Sequence, residues 1–137
     1  MITPRIQNVT VMLPNGDVLL AGGDDVSAGT SEIYRAREGR FVPSGSLVNP
    51  RLVAQAALLP DGRVLMTGGL SPHMETYAPL SSSERWDPAT GQWTAVASSL
   101  GGRAWGSLIN SYGGLYLVSG TGLNESSLGS VERLAIE

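Results

Sequence analysis

The chain repeats one pattern three times, and that repetition limits its fold more than any other feature. Residues 5–41, 51–93 and 103–136 each begin at an arginine and pass through an apolar run and a turn of Pro, Asn, Asp or Gly. A second apolar run then closes on Gly-Gly or Ser-Gly, and Ser-Glu or Val-Glu precedes an aromatic residue or Leu. Arg5 and Arg51, Gly16 and Gly62, and the pairs Gly22-Gly23 and Gly68-Gly69 all stand 46 residues apart. From the second unit to the third the spacing is 52 for Arg51 to Arg103 and Gly62 to Gly114, and 51 for Gly69 to Gly120. In the later half-unit, Ser31-Glu32 to Ser83-Glu84 is 52 and Glu84 to Glu132 is 48. Offsets that hold within half a unit and change between halves place the insertions in loops, chiefly 24–30 and 70–82.

The middle unit reads as four strands. Residues 52–59 form the first, Pro60-Asp61-Gly62 the turn, 63–67 the second, 83–86 the third, 87–91 a hairpin loop and 92–96 the fourth. The first unit follows with 8–13, 17–21, 31–35 and 40–42, and Asn15-Gly16 between apolar runs is the strongest hairpin signal in the chain. The runs Val18-Leu19-Leu20-Ala21, Val64-Leu65-Met66 and Leu115-Tyr116-Leu117-Val118 are apolar without alternation. Strands of that kind are covered on both faces, as the inner strands of stacked sheets are. Short length, flanking glycines and β-branched or aromatic content favour strand over helix. Repeats of this period built from small antiparallel sheets predict a β-propeller.

The middle unit carries Leu59-Pro60-Asp61-Gly62-Arg63-Val64-Leu65, Gly68-Gly69, Ser83-Glu84-Arg85-Trp86-Asp87-Pro88 and Thr90-Gly91-Gln92-Trp93. The first carries Leu13-Pro14-Asn15-Gly16-Asp17-Val18-Leu19, Gly22-Gly23, Ser31-Glu32-Ile33-Tyr34 and Phe41. In the third, Ser119-Gly120 replaces the double glycine, and Leu134, two residues after Glu132, stands in place of the aromatic. The chain thereby resembles a run of kelch repeats of the form common in bacterial proteins, within the superfamily of the galactose oxidase central domain. The resemblance implies an all-β fold of kelch-type four-stranded blades, with pairing of Arg5, Arg51 and Arg103 to Glu32, Glu84 and Glu132. Each signature residue has a structural reason: glycines adopt backbone shapes closed to other residues, and Tyr34, Trp86, Phe41 and Trp93 are apolar plates suited to packing between sheets.

The units, approximately 5–50, 51–102 and 103–137, make one partial domain over 1–137, with two complete blades and three strands of another. A closed ring of six or seven such blades takes roughly 280 to 350 residues. The expectation is a fragment of a longer propeller, with self-association as the other route to closure, because open ends expose apolar faces and strand edges.

All nine basic residues are arginine, and the net charge is −3. That balance, with no basic run, argues against nucleic acid or an anionic membrane as partner. No stretch is apolar enough to span a bilayer, and the first twenty residues lack the pattern of a signal peptide. Family resemblance favours an extracellular or cell-surface setting in a bacterium. With no cysteine there is no disulfide or thiolate chemistry.

One histidine, His73, has no second histidine or cysteine with which to share a metal. Asp24-Asp25 follows the first glycine pair, but no acidic ladder continues it, so it reads as a charged loop rather than a calcium site. Ser119-Gly120-Thr121-Gly122 lacks the lysine of a phosphate loop, and no Gly-x-Ser-x-Gly motif occurs. No cofactor is expected. The variable loop 70–82 is the candidate ligand loop, through His73, Glu75 and Tyr77. The reading that follows is a binding scaffold for a protein or carbohydrate rather than an enzyme. The alternative is part of a kelch-type enzyme, galactose-oxidase-like or sialic-acid-epimerase-like, with active residues outside this chain. The epimerase form requires charged residues converging on a central channel, which Arg51 or Arg103 would face only if their first-strand positions point inward.

Overall fold

The computed structural model describes residues 1–72, 78–97 and 101–135. Eleven strands run in chain order: β1 Val9–Met12, β2 Val18–Ala21, β3 Ser31–Arg35, β4 Arg40–Pro43, β5 Gln55–Leu58, β6 Val64–Thr67, β7 Ser83–Asp87, β8 Gln92–Val96, β9 Ser107–Ser111, β10 Gly114–Val118 and β11 Val131–Leu134. They form three antiparallel sheets in the order β1-β2-β3-β4, β5-β6-β7-β8 and β9-β10-β11, each strand beside its sequence neighbour. The fold is all-β, with two sheets of four strands and one of three among the described residues.

Regular pairing begins later than the apolar pattern suggests. Gln7, Val53 and Trp105, each two residues after a unit's arginine, take φ of 57°, 49° and 53°. A left-handed residue turns the chain out of the extended conformation, so β5 starts at Gln55 rather than at residue 52. Leu52 forms only an isolated bridge to Leu70. The third unit also shifts register. Its hairpin turns on Tyr112 and Gly113, with φ of 47° and 71°, one residue tighter than Pro60-Asp61-Gly62. Gly113 is therefore the counterpart of Gly62, and Gly114 opens β10.

The sheets stack face to face, with the backbones closest where β1 meets β5 and β5 meets β9. From sheet one, Val9, Val11, Leu13, Leu19, Ala21 and Ile33 pack against Val64, Met66, Trp86 and Trp93 of sheet two. Leu59 and Leu65 on sheet two's other face pack against Leu115, Leu117 and Leu134. Burial of the central strands follows from this stacking: β6, covered on both faces, is buried at every residue, whereas β2 alternates between half-buried and buried. Sheet one's outer face carries Met12, Val18, Leu20, Tyr34 and Phe41, the register counterparts of Leu58, Val64, Met66, Trp86 and Trp93. Met12 is 69% exposed there, and the Tyr34 and Phe41 rings lie 4.9 Å apart.

Candidate functional site

Each sheet is pinned at the start of its first strand by a buried arginine. Arg51 is wholly buried: Nη1 donates to the carbonyls of Gly68 and Ser82, both at 2.8 Å, and Nη2 to Ser82 Oγ at 2.9 Å and Glu84 Oε1 at 2.8 Å. Arg5 repeats the arrangement on the carbonyls of Gly22 (2.9 Å) and Thr30 (3.0 Å) and on Thr30 Oγ1 (3.0 Å), with Glu32 at 3.6 Å. Arg103 does so on the carbonyls of Ser119 (3.0 Å) and Ser130 (3.3 Å) and on Ser130 Oγ (3.2 Å), with Glu132 at 3.8 Å. Only a planar fork of donors reaches two carbonyls, a hydroxyl and a carboxylate at once, which is why the position is arginine.

In the first two clamps the glutamate also fixes the incoming chain. Glu84 accepts the amides of Val48 at 2.7 Å and Asn49 at 2.9 Å, and Glu32 accepts those of Ile2 at 3.1 Å and Thr3 at 3.3 Å. Burial lowers the Arg51 pKa, and the adjacent Glu84 carboxylate works in the opposite direction. Desolvating both charges is costly, and the pair holds because almost every donor and acceptor around it is used.

Backbone hydrogen bonds carry each clamp into the next unit. Gly23 N donates to Arg51 O at 3.0 Å and Gly69 N to Arg103 O at 2.8 Å. The left-handed residues continue the series, Val53 N donating to Gln7 O at 2.9 Å and Trp105 N to Val53 O at 3.2 Å. The first glycine of each pair is obligatory for the same reason. A Cβ on Gly22, at φ +70°, would lie 2.6 Å from Arg51 O, and one on Gly68 would strike Arg103 O. Ser119 takes the same conformation, φ 55°, without a glycine.

The expected pairs Arg5–Glu32, Arg51–Glu84 and Arg103–Glu132 all form. Arg51 and Arg103 point into carbonyl cages. Trp86 and Trp93 lie between sheets one and two, their indole N–H groups donating to Ser44 Oγ at 3.0 Å and Ser31 Oγ at 3.1 Å. Asp24 closes on its own loop, with Oδ1 accepting Ile6 N at 3.4 Å and its carbonyl accepting Ser27 Oγ at 2.7 Å. Among the described residues, no three His, Asp or Glu side chains converge as a metal site would require. His73, Glu75 and Tyr77 lie outside the described residues. Sequence reasoning missed the hydroxyls of Thr30, Ser82 and Ser130, although their spacings of 52 and 48 match those of the adjoining Ser-Glu or Val-Glu pairs.

Away from the clamps, two aspartates, Asp17 buried and Asp87 half-buried, brace hairpins at the opposite end of the sheets. Arg35 at 2.8 Å, helped by the Ala36 amide, holds the Asp17 carboxyl below its usual range. The Ala89 amide at 2.8 Å and Arg63 do the same for Asp87.

Fold and clamp together define a class: an all-β protein of repeated antiparallel sheets, each locked by an arginine–glutamate pair. Among solved structures, YjhT is similar to it with a TM-score of 0.74 and 18% identity over 89% of this chain. The match covers 36% of YjhT, so the chain spans about a third of that protein's length, and the likeness is one of fold. No family model matches the sequence, and no curated protein matches it. Among the described residues no helix is long and apolar enough to cross a membrane.

Proposed function

We propose that the three sheets are consecutive blades of a kelch-type β-propeller and that the protein is a binding scaffold whose loops meet a protein or carbohydrate. The observation carrying this reading is the clamp. Three arginines and three glutamates are spent on the backbone, so these strongest charges organise the rim where β2–β3, β6–β7 and β10–β11 connections emerge. What varies along that rim is the connection itself, from residues 22–30 to residues 68–82 to residues 119–130. A rigid repeated frame with variable connections on one side is a common basis for graded recognition. The variable loop 70–82 is the proposed contact, through His73, Glu75 and Tyr77.

The test is a glycan and peptide array probed with the chain and with a variant carrying alanine at His73, Glu75 and Tyr77. The expected result is a ligand held by the parent and lost by the variant, with an unchanged circular dichroism spectrum and thermal midpoint. Equal binding by both would move the site off this loop.

A further inference from the structure

The stack of three sheets ends in two faces that no other sheet covers among the described residues. Sheet one turns outward the face whose counterpart on sheet two packs against sheet one. Met12, Tyr34 and Phe41 stand there in the places of Leu58, Trp86 and Trp93. Sheet three turns outward the face whose counterpart on sheet one packs against sheet two. The residues alternating with its buried leucines are Ile109, Tyr116, Val118 and Arg133, in the places of Val11, Leu19, Ala21 and Ile33. Each end therefore carries one half of a contact that the molecule already makes twice. Backbone groups agree with the faces. Gly23 N and Gly69 N donate across the seams to the carbonyls of Arg51 and Arg103. Their counterpart Gly120 N has no acceptor among the described residues, and Ser119 before it is exposed where Gly22 and Gly68 are buried. At the other end the Arg5 carbonyl, counterpart of those two acceptors, accepts nothing among the described residues.

We propose that a second copy of this chain docks head to tail, the outer face of its sheet one on the outer face of sheet three. Gly120 N then donates to the Arg5 carbonyl of the second copy, and Arg133 lies against that copy's Tyr34 and Phe41 rings. In the first seam Ile33, the counterpart of Arg133, packs with Trp86 and Trp93. At the new contact a guanidinium meets two aromatic faces, which attract a cation. A head-to-tail contact either closes a ring or adds copies without limit. Two copies of three sheets each fall inside the range of about four to eight found in closed rings of such sheets, so the pair closes. That closure rests on the propeller reading, whereas the contact rests on the stacking alone.

The experiment follows the solution mass of the full 137-residue chain by sedimentation velocity across a concentration series. The expected result is a discrete species of two chains, with a dissociation constant on the order of 10 μM or tighter. Met12→Glu blocks one end and Ile109→Glu the other, at positions 69% and 47% exposed, so both variants should keep the circular dichroism of the parent. If Met12→Glu disturbs the fold, Thr10→Glu on the same face of β1 serves in its place. Each variant alone should associate about tenfold more weakly or worse, because a charge is buried at every contact. An equal mixture should recover a two-chain species, since the intact end of one variant meets the intact end of the other. Arg133→Gln should weaken the pair by about threefold. A monomer at every concentration, full association by either folded variant alone, or a mixture that stays monomeric would each overturn the docking. Mass that grows without limit would overturn the closed pair and the propeller reading on which it rests.

Discussion

Between sheets one and two, Trp86 and Trp93 occupy paired positions on β7 and β8, and each indole N–H finds a serine hydroxyl on the neighbouring unit. Between sheets two and three the seam is aliphatic, built on Leu59, Leu65, Leu115, Leu117 and Leu134, with an open cleft at one end. Among the clamps the middle one is the tightest: Arg51 meets Glu84 at 2.8 Å with both side chains fully buried, while Arg5 stands 3.6 Å from Glu32 and Arg103 3.8 Å from Glu132. One repeated plan thus yields two strengths of attachment. Local signature sets the sheet, and the residue at the aromatic position sets how tightly that sheet is held to the one before it.

The largest effect should come from breaking the tighter clamp. Arg51→Ala leaves the Glu84 carboxylate buried opposite carbonyls it cannot bond, and such a loss costs about 3–5 kcal/mol. Urea denaturation should show the variant at the edge of folding, with Arg103→Ala clearly milder. Equal losses at the two positions would remove the contrast between the clamps.

Next are the seams themselves. Trp86→Ala should cost about 4 kcal/mol and Leu134→Ala about 2 kcal/mol, because more buried surface and one hydrogen bond are lost at the first. A reversed order in denaturation midpoints would contradict the assignment of the first seam as the stronger.

The glycine position gives a smaller and opposite-signed pair. Gly22→Ala places a Cβ against Arg51 O at a positive φ and should destabilise by about 1–3 kcal/mol. Ser119→Gly relieves the same backbone conformation and should be neutral or stabilising by up to about 1 kcal/mol. Thermal midpoints of the two variants distinguish the outcomes.

The least of the effects is electrostatic. Asp17 and Asp87, with pKa values lowered from 3.8, bind protons more weakly folded than unfolded, so stability rises with pH across their titration. Their contribution is complete above about pH 4 and is lost as pH falls through the lowered folded values. Asp17→Asn should flatten the acid limb of stability against pH by a small amount, since the partner guanidinium of Arg35 stands partly in solvent. An unchanged acid limb would mean that the Arg35 contact is not formed in solution.

The repeat made much of this plan legible. The sequence located the eight strands of the first two units to within a few residues, because turn chemistry at Asn15-Gly16 and Pro60-Asp61-Gly62 fixes hairpin register locally, whereas the first strand of the third unit was given no bounds. It misplaced the start of the first strand in the middle unit, at 52 rather than 55, since nothing in Val53 announces a positive φ; Val53 N is held by Gln7 O of the neighbouring unit. The clamp partners were half legible. Arginine and glutamate were paired from resemblance, whereas Thr30, Ser82 and Ser130 escaped notice as ordinary loop hydroxyls. The cleft escaped as well, because a Trp-to-Leu exchange at residue 134 shows as degeneracy in a repeat and becomes a space only when the facing sheet is in place.

Residue-resolved hydrogen exchange under native conditions tests the graded attachment at its root. The expectation is that amides of sheets one and two, with those of Val48, Asn49 and Val53, share the highest protection and open together. The amides of β9–β11 should exchange through a separate opening of lower free energy. Uniform protection across all three sheets, or greatest protection in the third, would contradict the ordering of the seams.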